Sequence, residues 1–219
     1  GIINITNFSN LFKDEILLAG DIGPGMCLID KIVRDNLDQR YDENGKIAKS
    51  GKVNKSKLKK FQKKLEDSGA GKLRERITFD DNILNERRYF RSLDIKEFDL
   101  SIIKELTLKD AVATLTEFTS LIIGKLYTAG SLRTTLILCG GGRKNKFLVK
   151  RVKKISKHLD APYTSKVKLI DDYGLDGDFI ESQAFGYLAI RSYLSLPITF
   201  PNTTGCKEPT TGGVIVKNY

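Results

Sequence analysis

The sequence predicts an α/β fold, in which strands alternate with helices. Two β-rich runs, residues 132–139 and 167–170, are separated by an amphipathic helical run that starts near Asn145. Strands that are connected through a helix pair in parallel in one sheet. The 219 residues, 40% of them hydrophobic, are enough for one buried core, and the apolar periodicity excludes wholesale disorder.

The first part of the chain predicts a hairpin followed by helices. Residues 2–8 alternate apolar and polar side chains, as strands do, and residues 15–20 are the expected hairpin partner. A tight turn is predicted at residues 21–25, and a helix follows with apolar side chains between residues 28 and 33. Residues 47–53 are a candidate short helix.

A basic segment, residues 52–76, differs from its surroundings. It carries ten basic and three acidic residues, a net +7 of the chain's +10. Leu58, Phe61 and Leu65 lie three and four residues apart, which predicts an amphipathic helix with a solvated lysine face. Binding to nucleic acid phosphates is an alternative, but no aromatic residue beyond Phe61 is interleaved with the lysines to support it.

The rest of the chain continues the alternation of helix and strand. Thr107 is a candidate cap of the next helix, with Asp110 three residues later. The β-rich run at residues 132–139 predicts a buried strand. A last helix is predicted over residues 178–194, and residues 214–216 are a candidate edge strand.

Composition argues against several kinds of site and location. Cys27, Cys139 and Cys206 form no C-x-x-C pair, so neither a disulfide framework nor a zinc site is expected. His158 lies among lysines and is expected to be a surface residue rather than a catalytic or metal-binding one. No apolar run approaches the ~20 residues of a membrane span and no signal peptide is found, so a cytoplasmic protein without a membrane partner is expected.

Three consecutive glycines join the strand at residues 132–139 to a helix. Gly140, Gly141 and Gly142 would let a flat or anionic ligand approach the backbone, and the helix beyond Asn145 begins with free N–H groups. The pattern fits nucleotide or phosphate binding, and it equally fits a turn needed only for close strand–helix packing.

Two acidic residues are further candidates. Asp21, with Gly23 and Gly25 before a helix, suits contact with Mg²⁺ or phosphate, or else only with the backbone of its own turn. Glu181 falls in the first turn of the last helix, where a carboxylate complements the helix dipole. The residues alone favour that structural role for Glu181.

Seven segments together resemble the C-terminal half of the anhydro-N-acetylmuramic acid kinases, in order and in spacing. They are residues 1–6 (family N-I-G-G-I-A-N-I-T), 21–30 (D-T-G-P-G-N-x-L-I-D), 41–53 (Y-D-x-x-G-x-x-A-x-x-G-K-V), 91–98 (K-S-L-D-R-x-x-F), 139–145 (C-G-G-G-x-x-N), 181–189 (E-A-x-A-F-A-x-L-A) and 196–205 (L-P…F-P-x-T-T-G). We therefore expect residues 1–219 to be a single C-terminal kinase lobe, with a divergent basic insertion at about residues 54–88.

The resemblance implies the actin-like, sugar-kinase fold, in which two lobes, each with an RNase-H-like mixed sheet flanked by helices, close over ATP. It also implies a reaction of cell-wall recycling. ATP and water convert the anhydro-amino-sugar 1,6-anhydro-N-acetylmuramate to N-acetylmuramate 6-phosphate and ADP. The implied cofactors are ATP and Mg²⁺, a pairing that suits phosphoryl transfer.

The resemblance also implies site residues. The nucleotide would be held by Gly140, Gly141, Gly142 and Asn145. A cleft for phosphate, Mg²⁺ or sugar is expected at Asn4, Asp21, Gly23, Gly25, Ser92, Asp94 and Glu181.

The family pattern is incomplete in this sequence. The family's first lobe is not found, and neither are its G-T-S-x-D-G-x-D phosphate loop and its general-base Asp, so no catalytic residue is assigned. Met26 stands where the family has the Asn of D-T-G-P-G-N. We expect no turnover unless the first lobe is supplied in trans. A homodimer and a non-catalytic remnant that still binds nucleotide remain open.

Overall fold

A computed structural model describes residues 1–9, 16–68, 93–126, 135–158 and 166–216. The predicted hairpin is confirmed, since β1 (Ile2–Ser9) pairs antiparallel with β2 (Ile16–Pro24). The tight turn predicted at residues 21–25 is wrong, because β1 supplies backbone partners as far as Pro24 and β2 continues to that residue. The register shifts between Ile3 and Asn4, and this shift places Asn4 opposite Asp21.

Seven α-helices lie within these ranges. They are α1 (Cys27–Asn36), α2 (Lys46–Ser50), α3 (Lys55–Asp67), α4 (Leu108–Leu126), α5 (Lys146–His158), α6 (Ile180–Tyr193) and α7 (Pro201–Thr204). Before α4, the Thr107 hydroxyl accepts a hydrogen bond from the backbone N–H of Asp110 at 3.3 Å, as the sequence predicts. Of the helices just given, none is both long enough and apolar enough to cross a membrane.

The main core forms where α1 and α3 pack on α4. Val33 of α1 and Phe61 of α3 are fully buried, and the Phe61 ring centroid lies 5.4 Å from that of Phe118 on α4. Leu58 and Leu65 are also buried, which confirms the predicted apolar face of α3. Aromatic rings at this separation attract each other in addition to burying apolar area.

The helix α3 is the described part of the basic segment, and it belongs to the core. The Asn54 side chain begins it by accepting a hydrogen bond from Lys57 N at 3.0 Å. The Lys57 ammonium reaches Glu105 at 2.9 Å, whereas the other lysines of α3 are exposed. The segment up to Asp67 is therefore a packed helix with a solvated lysine face, and the remainder of the predicted insertion lies outside the described residues.

A second, parallel pair of strands follows. The strands β3 (Thr135–Leu138) and β4 (Lys166–Leu169) pair in parallel on either side of α5, as the strand–helix–strand order predicts. The prediction of a buried strand here is wrong, because half-buried and exposed residues alternate along β3 and Ile137 is 41% exposed. A half-covered sheet of this kind has one face packed and one face toward solvent.

The two central helices α4 and α5 pack closely. A Cβ placed on Gly124 of α4 would lie 2.6 Å from Ile155 Cγ2 of α5, so glycine is required for the helices to approach this far. Arg151 of α5 donates to Glu117 of α4 at 2.7 Å. This packing fixes α5, and with it the turn that precedes α5, on the main core.

The helix α6 and the segment that follows it are largely exposed. No residue of α6 is buried, and Phe185, Ile190 and Tyr193 are 65%, 62% and 72% exposed. The edge strand predicted at residues 214–216 is wrong, since those residues form no strand and Val214 is 90% exposed. An exposed apolar surface of this size is typical of a surface that another protein element covers.

Candidate functional site

The end of the hairpin gathers polar groups around Asp21. The carboxylate of Asp21 on β2 accepts a hydrogen bond from Asn4 Nδ2 on β1 at 3.1 Å. Its other oxygen accepts from the backbone N–H of Leu93 at 2.9 Å, so it joins the hairpin to a segment 72 positions along the chain. Asn4 and Asp21, which were predicted as site residues from separate motifs, therefore lie together.

A cleft of 390 Å³ lies beside this carboxylate. It is lined by Gly1, Ile2, Cys27, Leu93, Asp94, Ile95 and Glu97. Asp94 is exposed at its rim and begins a short helical turn, in which its carboxylate accepts from Lys96 N at 2.9 Å. Of the predicted residues, Asp94 lines the cleft, and Asp21 is joined to it by the hydrogen bond from the backbone N–H of Leu93.

Gly23 and Gly25 have clear packing roles. Gly23 has a φ of 153°, and a Cβ there would lie 2.8 Å from Ile122 Cδ1 of α4. A Cβ on Gly25 would lie 2.7 Å from the carbonyl oxygen of Gly1, to which the Gly25 N–H donates at 3.0 Å. The Thr119 hydroxyl of α4 also donates to the Gly25 carbonyl at 3.0 Å. Gly23 thus lets the hairpin end approach α4, and Gly25 lets the chain after β2 pass close to Gly1.

The glycine turn between β3 and α5 differs, because it is open. Gly140 has a φ of 73°, in the left-handed region that favours glycine. A Cβ on Gly140 or Gly141 would meet no atom within 4 Å, whereas a Cβ on Gly142 would lie 3.4 Å from Met26 Cγ. Close packing therefore does not account for Gly141, and Met26 connects the turn to the start of α1 beside the cleft.

Asn145 ends this turn as a buried cap of α5. Its Oδ1 accepts from Leu148 N at 2.9 Å, and the residue is 4% exposed. Its Nδ2 is buried and has no hydrogen-bond partner within the ranges that the structure covers. The side chain lies against Gly45, where a Cβ would come within 2.5 Å of Asn145 Oδ1. Asn145 therefore supports the turn from the protein interior, where it caps α5 and packs against Gly45.

Sequence reasoning missed Arg143, which holds the same turn. The guanidinium is 5% exposed and donates to both carboxylate oxygens of Asp171, at 2.7 and 3.0 Å. It also donates to Asp178 at 2.8 Å and to the Gly140 carbonyl at 3.1 Å. The signal in the sequence is the run of four aspartates between residues 171 and 178, which offers partners for a buried arginine.

Acid should weaken this ion-pair cluster. The Arg143 guanidinium lowers the pKa of Asp171 to about 2. An unfolded Asp titrates near pH ~3.9, so the stabilisation is full above that pH and is lost as the pH falls toward 2. We expect the difference in melting temperature between wild type and Asp171→Asn to be largest above pH ~4 and to shrink below it. An unchanged difference at pH ~2.5 would contradict this.

Asp35→Asn serves as the control for the acid titration. Asp35 pairs with Lys31 on α1 at 2.8 Å, and both side chains are half exposed. Exposed pairs of this kind contribute about 0–1 kcal/mol. The melting temperature of the Asp35→Asn variant should follow that of the wild type at every pH measured.

The predicted site residue Glu181 does not line the cleft. Glu181 is exposed in the first turn of α6, with no hydrogen bond or ion pair to any described residue. Ser92 lies outside the described residues. A search of the described positions finds no cluster of three His, Cys, Asp or Glu side chains that could hold a metal ion.

Comparison with known proteins matches the sequence of this chain to a protein family. The family model described as anhydro-N-acetylmuramic acid kinase matches residues 1–218. The anhydro-N-acetylmuramic acid kinase of Pelagibacter ubique is 43% identical over 224 residues, which cover 100% of this chain and 54% of that relative. The namesake from Caulobacter vibrioides is 35% identical over 99% of this chain and 51% of the relative.

A third relative shows a similar identity and coverage. The Brucella canis protein of the same name is 33% identical over 98% of this chain and 53% of its own length. The chain thus spans about half the length of the curated relatives it matches. Because the family match runs over nearly every residue, the chain belongs to the anhydro-N-acetylmuramic acid kinase family.

Proposed function

We propose that this chain is the nucleotide-binding lobe of a kinase for 1,6-anhydro-N-acetylmuramate. The reaction consumes ATP and water and gives N-acetylmuramate 6-phosphate and ADP. The observation that carries the proposal is the open turn at Gly140 and Gly141, placed at the start of α5 within a chain that matches the family from residue 1 to residue 218. A cytoplasmic location belongs to the proposal, since Cys27, Cys139 and Cys206 are all free thiols.

The adenosine end of ATP is assigned to the glycine turn. The backbone at Gly140 and Gly141 is uncovered, so a flat group can approach it without displacing a side chain. The buried Nδ2 of Asn145 is a further donor beneath this surface.

The phosphates and Mg²⁺ are assigned to the cleft beside Asp21. Mg²⁺ prefers oxygen ligands and keeps several of its waters, and the carboxylates of Asp21 and Asp94 fit that preference. Asp94 is exposed, and Asp21 is half-buried beside Asn4. When bound, Mg²⁺ would neutralise charge that develops on the transferred phosphoryl group. Asn4 and the Leu93 N–H would hold the Asp21 carboxylate in place.

A second lobe is proposed to cover α6. The described strands are one antiparallel and one parallel pair, which are compatible with an RNase-H-like mixed sheet. Phe185, Tyr187, Ile190 and Tyr193 of α6 are exposed, and the relatives are about twice as long as this chain. We assign the phosphate loop and the general-base Asp to this second lobe. A homodimer through α6 is the competing arrangement.

Calorimetric titration of the chain with ADP and with Mg·ATP tests the proposal. We expect weak but saturable binding, competition between the two nucleotides, and no phosphorylation of anhydromuramate by the chain alone. Addition of the unmatched half of the Pelagibacter ubique relative should restore turnover.

Each result has a separate meaning. No nucleotide binding at millimolar concentration would overturn the nucleotide site. Turnover by the chain alone would overturn the need for a second lobe. Binding without restored turnover would favour the non-catalytic remnant.

A further inference from the structure

We infer that Arg143 is a positioning residue that holds the Gly140–Gly142 turn in the conformation that receives nucleotide. The inference rests on the proposed nucleotide site and adds a residue that the C-G-G-G-x-x-N pattern leaves open. Arg143 touches no proposed ligand group, so any effect on binding must pass through the turn.

The guanidinium fixes the turn from inside. Arg143 Nη1 donates to the Gly140 carbonyl at 3.1 Å and to Asp178 Oδ1 at 2.8 Å. Nε and Nη2 grip the two oxygens of Asp171 at 2.7 and 3.0 Å. Asp176 Oδ1 lies 3.8 Å from Arg143 Nη2. The carbonyl of a left-handed glycine is thus tied to an acidic segment beyond β4.

Gly177 closes the cluster from the other side. A Cβ at this buried glycine would lie 2.2 Å from Arg143 Nε and 2.4 Å from Cζ. The guanidinium cannot easily retreat, because Asp171 and Asp178 hold it on both edges. Arg143 is therefore confined on all sides, while the opposite, solvent side of Gly140 and Gly141 is open.

This geometry can fix the conformation of the Gly140–Gly142 turn before nucleotide binds. A planar guanidinium can bond Asp171 with two parallel N–H groups and still reach Gly140, which a lysine ammonium cannot do. A site whose conformation is fixed before binding loses less affinity to ordering. If the competent conformation fell to a tenth of the population, the apparent affinity would fall about tenfold.

The test compares Arg143→Lys with Arg151→Lys. Arg151 on α5 donates two N–H groups to Glu117 on α4, away from the turn, so it controls for loss of a guanidinium. The readouts are ADP affinity, melting temperature, and amide exchange at residues 143 and 145. In the wild type these two amides donate to the Gly140 and Gly142 carbonyls at 3.2 and 3.1 Å.

We expect Arg143→Lys to speed exchange at both amides and to weaken ADP binding about tenfold, whereas Arg151→Lys does neither at a similar melting temperature. Equal ADP affinities in the two variants would overturn the inference. If the wild type does not bind ADP, the proposed nucleotide site fails on its own, and the amide exchange rates then test the positioning role of Arg143. Unchanged rates in Arg143→Lys would overturn that role, and faster rates would support it.

Gly177→Ala provides a second variant if Arg143→Lys does not fold. This substitution changes no charge, but its added Cβ would displace the Arg143 guanidinium from its position beside residue 177. It should also speed exchange at residues 143 and 145 and weaken ADP binding. Wild-type exchange and wild-type affinity in a folded Gly177→Ala protein would contradict the positioning role.

Discussion

Replacement of Phe61 by alanine should lower the free energy of unfolding by about 3–5 kcal/mol, the cost typical of a fully buried Phe. Phe61 is 0% exposed and lies where α3 packs on α4, with its ring against that of Phe118. The substitution removes both the burial of the ring and its aromatic contact, and it leaves a cavity that the surrounding helices fill only in part. Urea unfolding followed by circular dichroism measures the loss.

Lys63→Ala is the matched control on the same helix. Lys63 is exposed on the solvated face of α3, so its loss should change stability by less than about 0.5 kcal/mol. If Phe61→Ala does not fold, Phe61→Leu should still unfold at clearly lower urea than the wild type. Equal stabilities for Phe61→Ala and Lys63→Ala would show that α3 is not part of the core.

Gly141→Val should abolish measurable nucleotide binding and leave stability almost unchanged. A Cβ at Gly141 meets no atom within 4 Å, so the valine side chain occupies only the space above the turn that the proposed ligand needs. A branched side chain there prevents close approach of the nucleotide to the backbone. Calorimetry with ADP and a thermal melt measure the two effects.

Gly186→Val is the control for this substitution. Gly186 lies in α6, and a Cβ there also meets nothing within 4 Å. It should bind ADP like the wild type. Wild-type affinity in Gly141→Val would remove the glycine turn from the nucleotide site, whatever the variant's melting temperature.

Much of the fold follows from local patterns in the sequence. The alternation in residues 2–8, the spacing of Leu58, Phe61 and Leu65, and the strand–helix–strand order each predict the observed element. The errors come from tertiary context. Hairpin pairing extends β2 through a glycine-rich stretch that locally favours a turn, and β3 has the residues of a buried strand but is covered on one face.

The candidate site was only partly predictable for the same reason. The family resemblance assigns Asn4 and Asp21 to one cleft, and the observed hairpin pairs the strands on which they lie. The Leu93 N–H and Arg143 depend on contacts between segments dozens of residues apart, which no local spacing reveals. Conversely, the packing of Gly23 against Ile122 shows that a glycine expected to serve a ligand also has a structural reason to be there.

The exposed lysines of α3 also govern how copies of the chain meet in solution. A net charge of +10 makes the copies repel one another at low ionic strength, while the bare apolar side chains of α6 attract. Salt shortens the reach of the repulsion from about 10 Å at 0.1 M to about 3 Å at 1 M, but it does not weaken the apolar attraction. We therefore expect the net positive charge, to which the exposed lysines of α3 contribute, to oppose self-association most strongly in dilute buffer.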